Sequence, residues 1–141
     1  MAGFQASSPE ELKALIEGKS DDEINAGLKE GGVETALDKV FEGMVEAFIP
    51  AKAGGQSAVI QYDVNTPDGK KSYQLKVADG KATSLKGSPE SARVTLTLNA
   101  PDFLRLVTGK LNGQTAFFQG KLKLAGDMMF AQTMQSWFKM G

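Results

Sequence analysis

Two residue types are missing from this 141-residue chain: it has no cysteine and no histidine. Without thiols there is no disulfide, no thiolate zinc site and no cysteine nucleophile. Without imidazole there is no histidine ligand or general base, which excludes the Ser-His-Asp and Cys-His arrangements of hydrolases. A charge excess of either sign is also lacking. Sixteen Lys and Arg face 17 Asp and Glu, a net charge of −1, so no global field draws in nucleic acid, which is not an expected partner. No apolar run approaches the ~18 residues of a membrane span, so no integral membrane segment is expected. Met1 to Glu10 lacks the basic and apolar regions of a secretory signal, and a cytoplasmic location is the expectation.

What is present fits one domain with a substantial core. Ser8-Pro9-Glu10-Glu11 reads as a capping box with proline at the first helical position, ahead of Leu12, Leu15 and Ile16, and predicts a helix from about Pro9 to Glu17. Ser20-Asp21-Asp22-Glu23 repeats the box ahead of Ile24 and Leu28, with Gly31-Gly32 as the stop. From Val33 the apolar positions Leu37, Val40, Phe41, Met44, Val45 and Phe48 share one helical face, until Pro50 and Gly54-Gly55. The period then becomes two. Ile60, Tyr62 and Val64, then Tyr73, Leu75 and Val77 across Pro67-Asp68-Gly69, then Lys81 to Lys86 after Asp79-Gly80, then Val94, Leu96 and Leu98 after Ser88-Pro89, predict four antiparallel strands with one apolar face.

Asn99 is placed to cap a helix from about Pro101 to Thr108, and Asn112 a short one through Phe118. Lys121-Leu122-Lys123-Leu124 alternates as a fifth strand. Asp127 then caps a last helix with Phe130, Met134, Trp137 and Phe138 near one stripe. This segregated order predicts an α+β fold: a five-stranded, mostly antiparallel sheet with helices on one face.

Residues able to carry chemistry are few. Asp21-Asp22-Glu23 stands where acids favour a helix start, and Glu42 with Glu46 is an i, i+4 pair on a polar face, so both read as solvated surface. The glycines Gly109, Gly113 and Gly120 fit neither a phosphate-cradling loop nor a dinucleotide fingerprint and read as turns. Lys110, Lys121 and Lys123 with Phe117 and Phe118 make a small basic-aromatic group, yet alternation sets the strand lysines opposite Leu122 and Leu124, on a solvated sheet face. No catalytic residue, metal ligand or cofactor site is assigned. The last stretch is the most distinctive: Met128, Met129, Phe130, Met134, Trp137, Phe138 and Met140 crowd together. Such a cluster packs as core, adapts to variable ligands, or serves as a lid or dimer contact.

The string from Leu111 to Met128, Leu-Asn-Gly-Gln-Thr-Ala-Phe-Phe-Gln-Gly-Lys-Leu-Lys-Leu-Ala-Gly-Asp-Met, resembles the sterol carrier protein type 2 family, the non-specific lipid-transfer proteins. The similarity extends back through the Val94 to Lys110 block, and the element order from Val33 onward is compatible with it. On that resemblance residues 33–141 form a lipid-binding domain and residues 1–32 an N-terminal helical extension. It implies helices enclosing an apolar tunnel for a fatty acid, fatty acyl-CoA, sterol or phospholipid. The implied lining is Phe103, Leu104, Val107, Phe117, Leu122 and Leu124, with Met128, Met129, Met134 and Phe138 as wall or lid. Arg105 or Lys110 is the candidate partner of a ligand head group. The chain departs from the peroxisomal members in closing on Lys139-Met140-Gly141 rather than a Ser-Lys-Leu signal.

The expected function is therefore non-enzymatic uptake and carriage of an apolar ligand, at about 0.8 kcal/mol per buried methylene. The first rival expectation is an interaction module or homodimer that uses Trp137, Phe138 and the Met-rich helix, and the second is an enzyme that works with carboxylates or a lysine.

Overall fold

The computed structural model describes residues 9–87, 92–134 and 137–138. The cap at Ser8, the Ser88-Pro89 turn and Met140 lie outside them. The elements run α1 (Pro9–Ile16), α2 (Asp21–Gly31), α3 (Val33–Glu46), α4 (Pro50–Ala53), β1 (Ala58–Thr66), β2 (Gly69–Ala78), β3 (Lys81–Lys86), β4 (Val94–Asn99), α5 (Ala100–Val107), α6 (Gly113–Phe118), β5 (Lys123–Gly126) and α7 (Met128–Met134).

Side-chain chemistry sets most helix starts. At α2 the Ser20 hydroxyl accepts from the Glu23 N–H while the Glu23 carboxylate accepts from the Ser20 N–H. The Ser20 backbone N–H, and after it the Ser20 hydroxyl, hold the Glu23 carboxyl below its ordinary range. Asn99 Oδ1 accepts from the Asp102 N–H at 2.8 Å to open α5. Asn112 Oδ1 accepts from Gln114 and Thr115 to open α6, and Asp127 Oδ1 accepts from Phe130 at 2.9 Å to open α7.

The sheet order is β3-β2-β1-β4-β5. β1–β2, β2–β3 and β4–β5 are antiparallel. β4, however, runs parallel to β1, with Tyr62 opposite Leu96, which corrects the expectation of four antiparallel strands. An alternating pattern fixes which face a residue takes and is blind to strand direction. Asp79 at φ 54° and Gly80 at φ 72° form the two-residue turn between β2 and β3, the left-handed pair that matches hairpin twist. β5 starts two residues later than the alternation implies, because the Leu122 N–H is still bonded to the Ala116 carbonyl at the end of α6.

One face of the sheet is apolar and carries the helices. α3 crosses β2 and β3, α5 lies on β1 and β4, α7 on β4 and β5, and α1 and α2 pack outside α5. Leu12, Ile16, Ile24 and Leu28 of the N-terminal helices belong to the same buried cluster as Ile60, Leu75 and Leu96. The opposite face is polar. On it burial alone would raise the Asp63 carboxyl, but hydrogen bonds from Gln61 and Ser72, both 2.8 Å, and the Lys70 ammonium hold it below the usual range.

The centre of the core is aromatic. Phe41 of α3 stacks on Tyr73 with centroids 4.3 Å apart and on Phe103 of α5 at 5.2 Å, and meets Tyr62 edge-on at 5.5 Å. The Tyr73 hydroxyl donates to Asp38 at 2.7 Å.

The C-terminal segment differs from expectation. The helix ends at Met134, and Phe138 forms a bridge with Phe48, which has itself left α3. The Ile49 N–H donates to the Trp137 carbonyl at 2.6 Å. Trp137 and Phe138 are buried, with Trp137 edge-on to Phe130. They anchor the chain inward and do not lie on the Met-rich surface that the rival reading assigned to a partner.

Two outcomes follow from the aromatic centre. Phe41→Ala removes a fully buried ring and should cost about 3–5 kcal/mol in urea unfolding, with Phe41→Leu costing distinctly less. Burial raises the Tyr62 and Tyr73 hydroxyls, helped at Tyr73 by Asp38. The folded state therefore holds these protons more tightly than the unfolded chain does. Their contribution is complete below a phenol's ordinary pKa of about 10 and is lost as pH rises through the folded-state values. Melting temperatures measured upward from pH 9 should fall for the native chain and fall less steeply for Tyr73→Phe.

Candidate functional site

The candidate site lies where α5, α6 and α7 meet the apolar face of the sheet. α5 is short because Thr108 closes it: its N–H and its hydroxyl both bond to the Leu104 carbonyl. The chain then turns through Gly109, with the Lys110 and Leu111 N–H groups both returning to the Arg105 carbonyl. This compact turn sets the start of α6 at Asn112 beside Met134 of α7.

Two adjoining clefts flank that corner. The inner one, about 210 Å³, is lined by Tyr62 and Leu96 from the sheet, by Leu106, Leu111 and Met134, and by the backbone corner of Gly109, Asn112 and Gly113. The outer one, about 250 Å³, opens between α6 and α7, with Gln114, Phe117, Phe118, Met128, Ala131 and Gln132 around the same Asn112–Gly113 corner. Each volume lies just below the ~300 Å³ at which small-molecule pockets usually begin. Asn112 and Gly113 border both, and the flexible Met134 stands at the edge of the inner one.

The electrostatics are quiet. Among the described residues, neither cleft is lined by a carboxylate, ammonium or guanidinium group. Among the described lining residues the titratable group is the Tyr62 phenol, which burial keeps neutral well above its ordinary range. Such a lining can accept an apolar body and offer amide and hydroxyl hydrogen bonds; it holds no evident proton-transfer pair.

The residues implied by the family resemblance separate into groups. Phe117 and Met128 line the outer cleft and Met134 the inner one. Phe103, Leu104, Val107 and Leu122 are buried in the common core and Leu124 is packed partly buried against it, all without bordering either cleft. Met129 is 81% exposed and borders neither cleft, while Phe138 is committed to Phe48, ring centroids 5.5 Å apart. Arg105 pairs with Asp102 and Asp21 and donates to the Lys19 carbonyl. Lys110 pairs with Glu17 at 3.4 Å. Both head-group candidates thus tie the α5–α6 turn to the N-terminal helices.

Sequence reasoning missed Tyr62, Leu96, Leu106 and Leu111. The signal for Leu106 was available: it is apolar yet sits off the buried stripe of Phe103, Leu104 and Val107, and it is only half-buried. For Tyr62 and Leu96 no local signal exists, since cleft-facing and core-facing residues of a strand share the same alternation.

Asp127 fixes the outer wall. The Phe130 N–H, and Arg93 at 3.2 Å, hold its carboxyl below the ordinary range. The Arg93 guanidinium also lies 4.1 Å from the centre of the Phe130 ring. Gly126, at φ 103°, precedes this cap, and a Cβ there would stand 2.5 Å from the Arg93 carbonyl oxygen, so only glycine brings α7 this close to β4.

Comparison with known proteins agrees with this architecture. Residues 49–139 match the SCP-2 sterol transfer family. Sterol carrier protein 2 of Homo sapiens is 36% identical over 135 residues, which is 95% of this chain and 24% of that protein. The chain thus spans about a quarter of the length of that relative. Among solved structures, palmitated SCP2L2 from Aedes aegypti aligns with a TM-score of 0.58 at 27% identity, over 74% of this chain and 91% of that one. The stereoselective inverting sec-alkylsulfatase Pisa1 from Pseudomonas sp. aligns with a TM-score of 0.66 at 25% identity, over 76% of this chain and 17% of that one. With this identity and coverage, and with the same α+β sheet architecture, the chain belongs to the SCP-2 sterol transfer family.

Proposed function

We propose that the chain is a non-catalytic carrier that takes up an apolar, lipid-like ligand, such as a fatty acid, fatty acyl-CoA, sterol or phospholipid, at the α5–α6–α7 corner. The observation that carries this reading is the pair of adjoining clefts with a floor on the inner sheet face, at Tyr62 and Leu96, and walls of Leu106, Leu111, Phe117, Met128 and Met134. The palmitated state of the Aedes aegypti relative supports it. The absence of any carboxylate or cation among the cleft linings favours carriage over reaction. The N-terminal helices α1 and α2 act in this reading as a brace: Glu17 and Asp21 pair with Lys110 and Arg105, on either side of Leu106.

Neither cleft alone accommodates a long acyl chain. Uptake therefore joins them, by rotation of Met134 and a small outward shift of the Asn112–Gly113 corner. Burying ten methylenes gives about 8 kcal/mol gross; with binding costs met partly by the terminal chain and head group, affinities in the micromolar range follow.

Delipidated protein titrated with a fluorescent long-chain fatty acid should show saturable one-to-one uptake, reversed by unlabelled acyl-CoA, sterol or phospholipid and accompanied by a change in Trp137 emission. Leu111→Trp, which fills the inner cleft from a half-buried position, should weaken uptake about tenfold or more with little change in melting temperature. No uptake at tens of micromolar, or normal uptake by Leu111→Trp, contradicts the assignment.

A further inference from the structure

The helices that pack on the sheet, α3, α5 and α7, take its apolar face, which leaves the polar face uncovered among the described residues. Strand register shows what that face presents. Asp63 stands between Ser72 and Thr97, Gln61 stands between Gln74 and Thr95, and Lys123 lies next to Thr97. Across β2 and β3, Lys76 is opposite Thr83 and Ala78 opposite Lys81. Alternation therefore sets amides and hydroxyls around Asp63 in the middle of the face, with Lys76 and Lys81 toward the β3 edge and Lys123 at the β5 edge.

The free charge on this face has one sign. Its acid, Asp63, is 7% exposed, accepts from Gln61 and Ser72 and pairs with Lys70. Lys76, Lys81 and Lys123 are exposed and make no ion pair with the described residues. They span the sheet from β3 to β5, four strand spacings or roughly 19 Å. The charge of the chain is divided to match. Of its 17 acidic residues 11 lie before Ala51, with only 4 of its 16 Lys and Arg, and that segment supplies α1, α2 and α3 on the other side of the sheet. A chain of net charge −1 is thus polarised, acidic over these helices and basic over the open strands.

We propose that the open face of the sheet docks an acidic protein surface, whose carboxylates meet Lys76, Lys81 and Lys123 while polar groups between them meet Gln74, Thr95 and Thr97. Half-buried amides and hydroxyls with ammonium groups at the margins complement a folded surface that carries spaced carboxylates. The acidic helices repel the same partner and turn the sheet toward it. Other anions suit the face less well. It has no aromatic ring to stack a base, and Asp63 stands in its middle, where a phosphate backbone needs cations. Its large exposed apolar residue among those described, Leu85, sits on the edge strand β3 and gives a bilayer no broad apolar surface to bury. A second copy that presents the same face sets lysine against lysine, and one that presents its acidic helices makes a head-to-tail contact that repeats from copy to copy. Docking stands independently of the carrier reading, since the clefts lie among the helices on the other face.

Amide NMR of the full, isotope-labelled chain titrated with poly-L-glutamate tests it. Saturable shifts are expected at Gln74, Lys76, Lys81, Thr97 and Lys123, fading as salt is added, while Leu111 and Met134 at the cleft stay unmoved. Lys76→Gln/Lys81→Gln/Lys123→Gln should weaken binding about tenfold or more, and the corresponding triple Arg variant should keep it. Lys29→Gln/Lys39→Gln, on α2 and α3, should bind as the native chain does. Duplex DNA and phosphatidylserine vesicles should bind more weakly than polyglutamate. Native binding by the triple Gln variant, shifts centred on α6 and α7, or tighter binding to DNA or vesicles overturns the proposal. So do salt-sensitive shifts at these lysines together with Glu42 and Glu46 when the chain alone is concentrated, which assign the face to a second copy. Polyglutamate binding by a native chain that takes up no fatty acid contradicts the carrier reading and leaves the docking face standing.

Discussion

Phe41 is the contact on which the arrangement of this molecule depends. Its ring touches Tyr73, Tyr62 and Phe103, so one side chain of α3 joins β2, β1 and α5. With Phe103 held against Phe41 and Tyr62, α5 has one rotational setting on the sheet. Its next turn then carries Leu106 off the buried stripe, to line the inner cleft with Tyr62 and Leu96 of the sheet. The inner cleft is the gap left between the aromatic centre and α7, with the far side of Tyr62 as its floor. A rigid centre and an incompletely filled flank are thus the same packing decision. The flank closes with residues that adapt: Met134 and Met128 are methionines, where a rigid core favours leucine or isoleucine.

The charged residues around this corner act on position. Arg105 and Lys110 reach Asp21, Asp102 and Glu17 and clamp the α5–α6 turn to the N-terminal helices. The pairs to Asp21 and Glu17, whose carboxylates are exposed, contribute little stability singly, about 0–1 kcal/mol each. They nonetheless fix the backbone that carries Leu106 and Leu111. At the other wall, Asp127 joins a helix start, an ion pair and, through Arg93, a cation-π contact with Phe130. The site is therefore polar in its scaffolding and apolar in its lining, the division expected of a chamber for an apolar guest.

Much of the fold was legible because it is written in local chemistry. Ser20, Asn99, Asn112 and Asp127 each cap the helix they were expected to cap. Alternation placed Ile60, Tyr62, Leu75 and Leu96 on the inner face. What escaped depends on contacts far apart in sequence. The parallel pairing of β1 with β4 leaves no trace in a period-two pattern. Trp137 and Phe138 continue the stripe of Phe130 and Met134 on paper, but the bridge from Phe138 to Phe48 takes them out of the helix. Site legibility was uneven for the same reason. Phe117, Met128 and Met134 stood out by composition, whereas Tyr62, Leu96, Leu106 and Leu111 border a cleft through tertiary packing that no local pattern records.

The central claim, that an apolar guest enters beside the aromatic centre and not through it, is tested most directly by methyl NMR of the six methionines during titration with palmitate. The account predicts saturable shifts at Met134 and Met128, which border the clefts, with Met44, on the buried face of α3, left unmoved. Shifts centred on Met44, with Met128 and Met134 unchanged, would contradict it and move the ligand to the other side of Phe41.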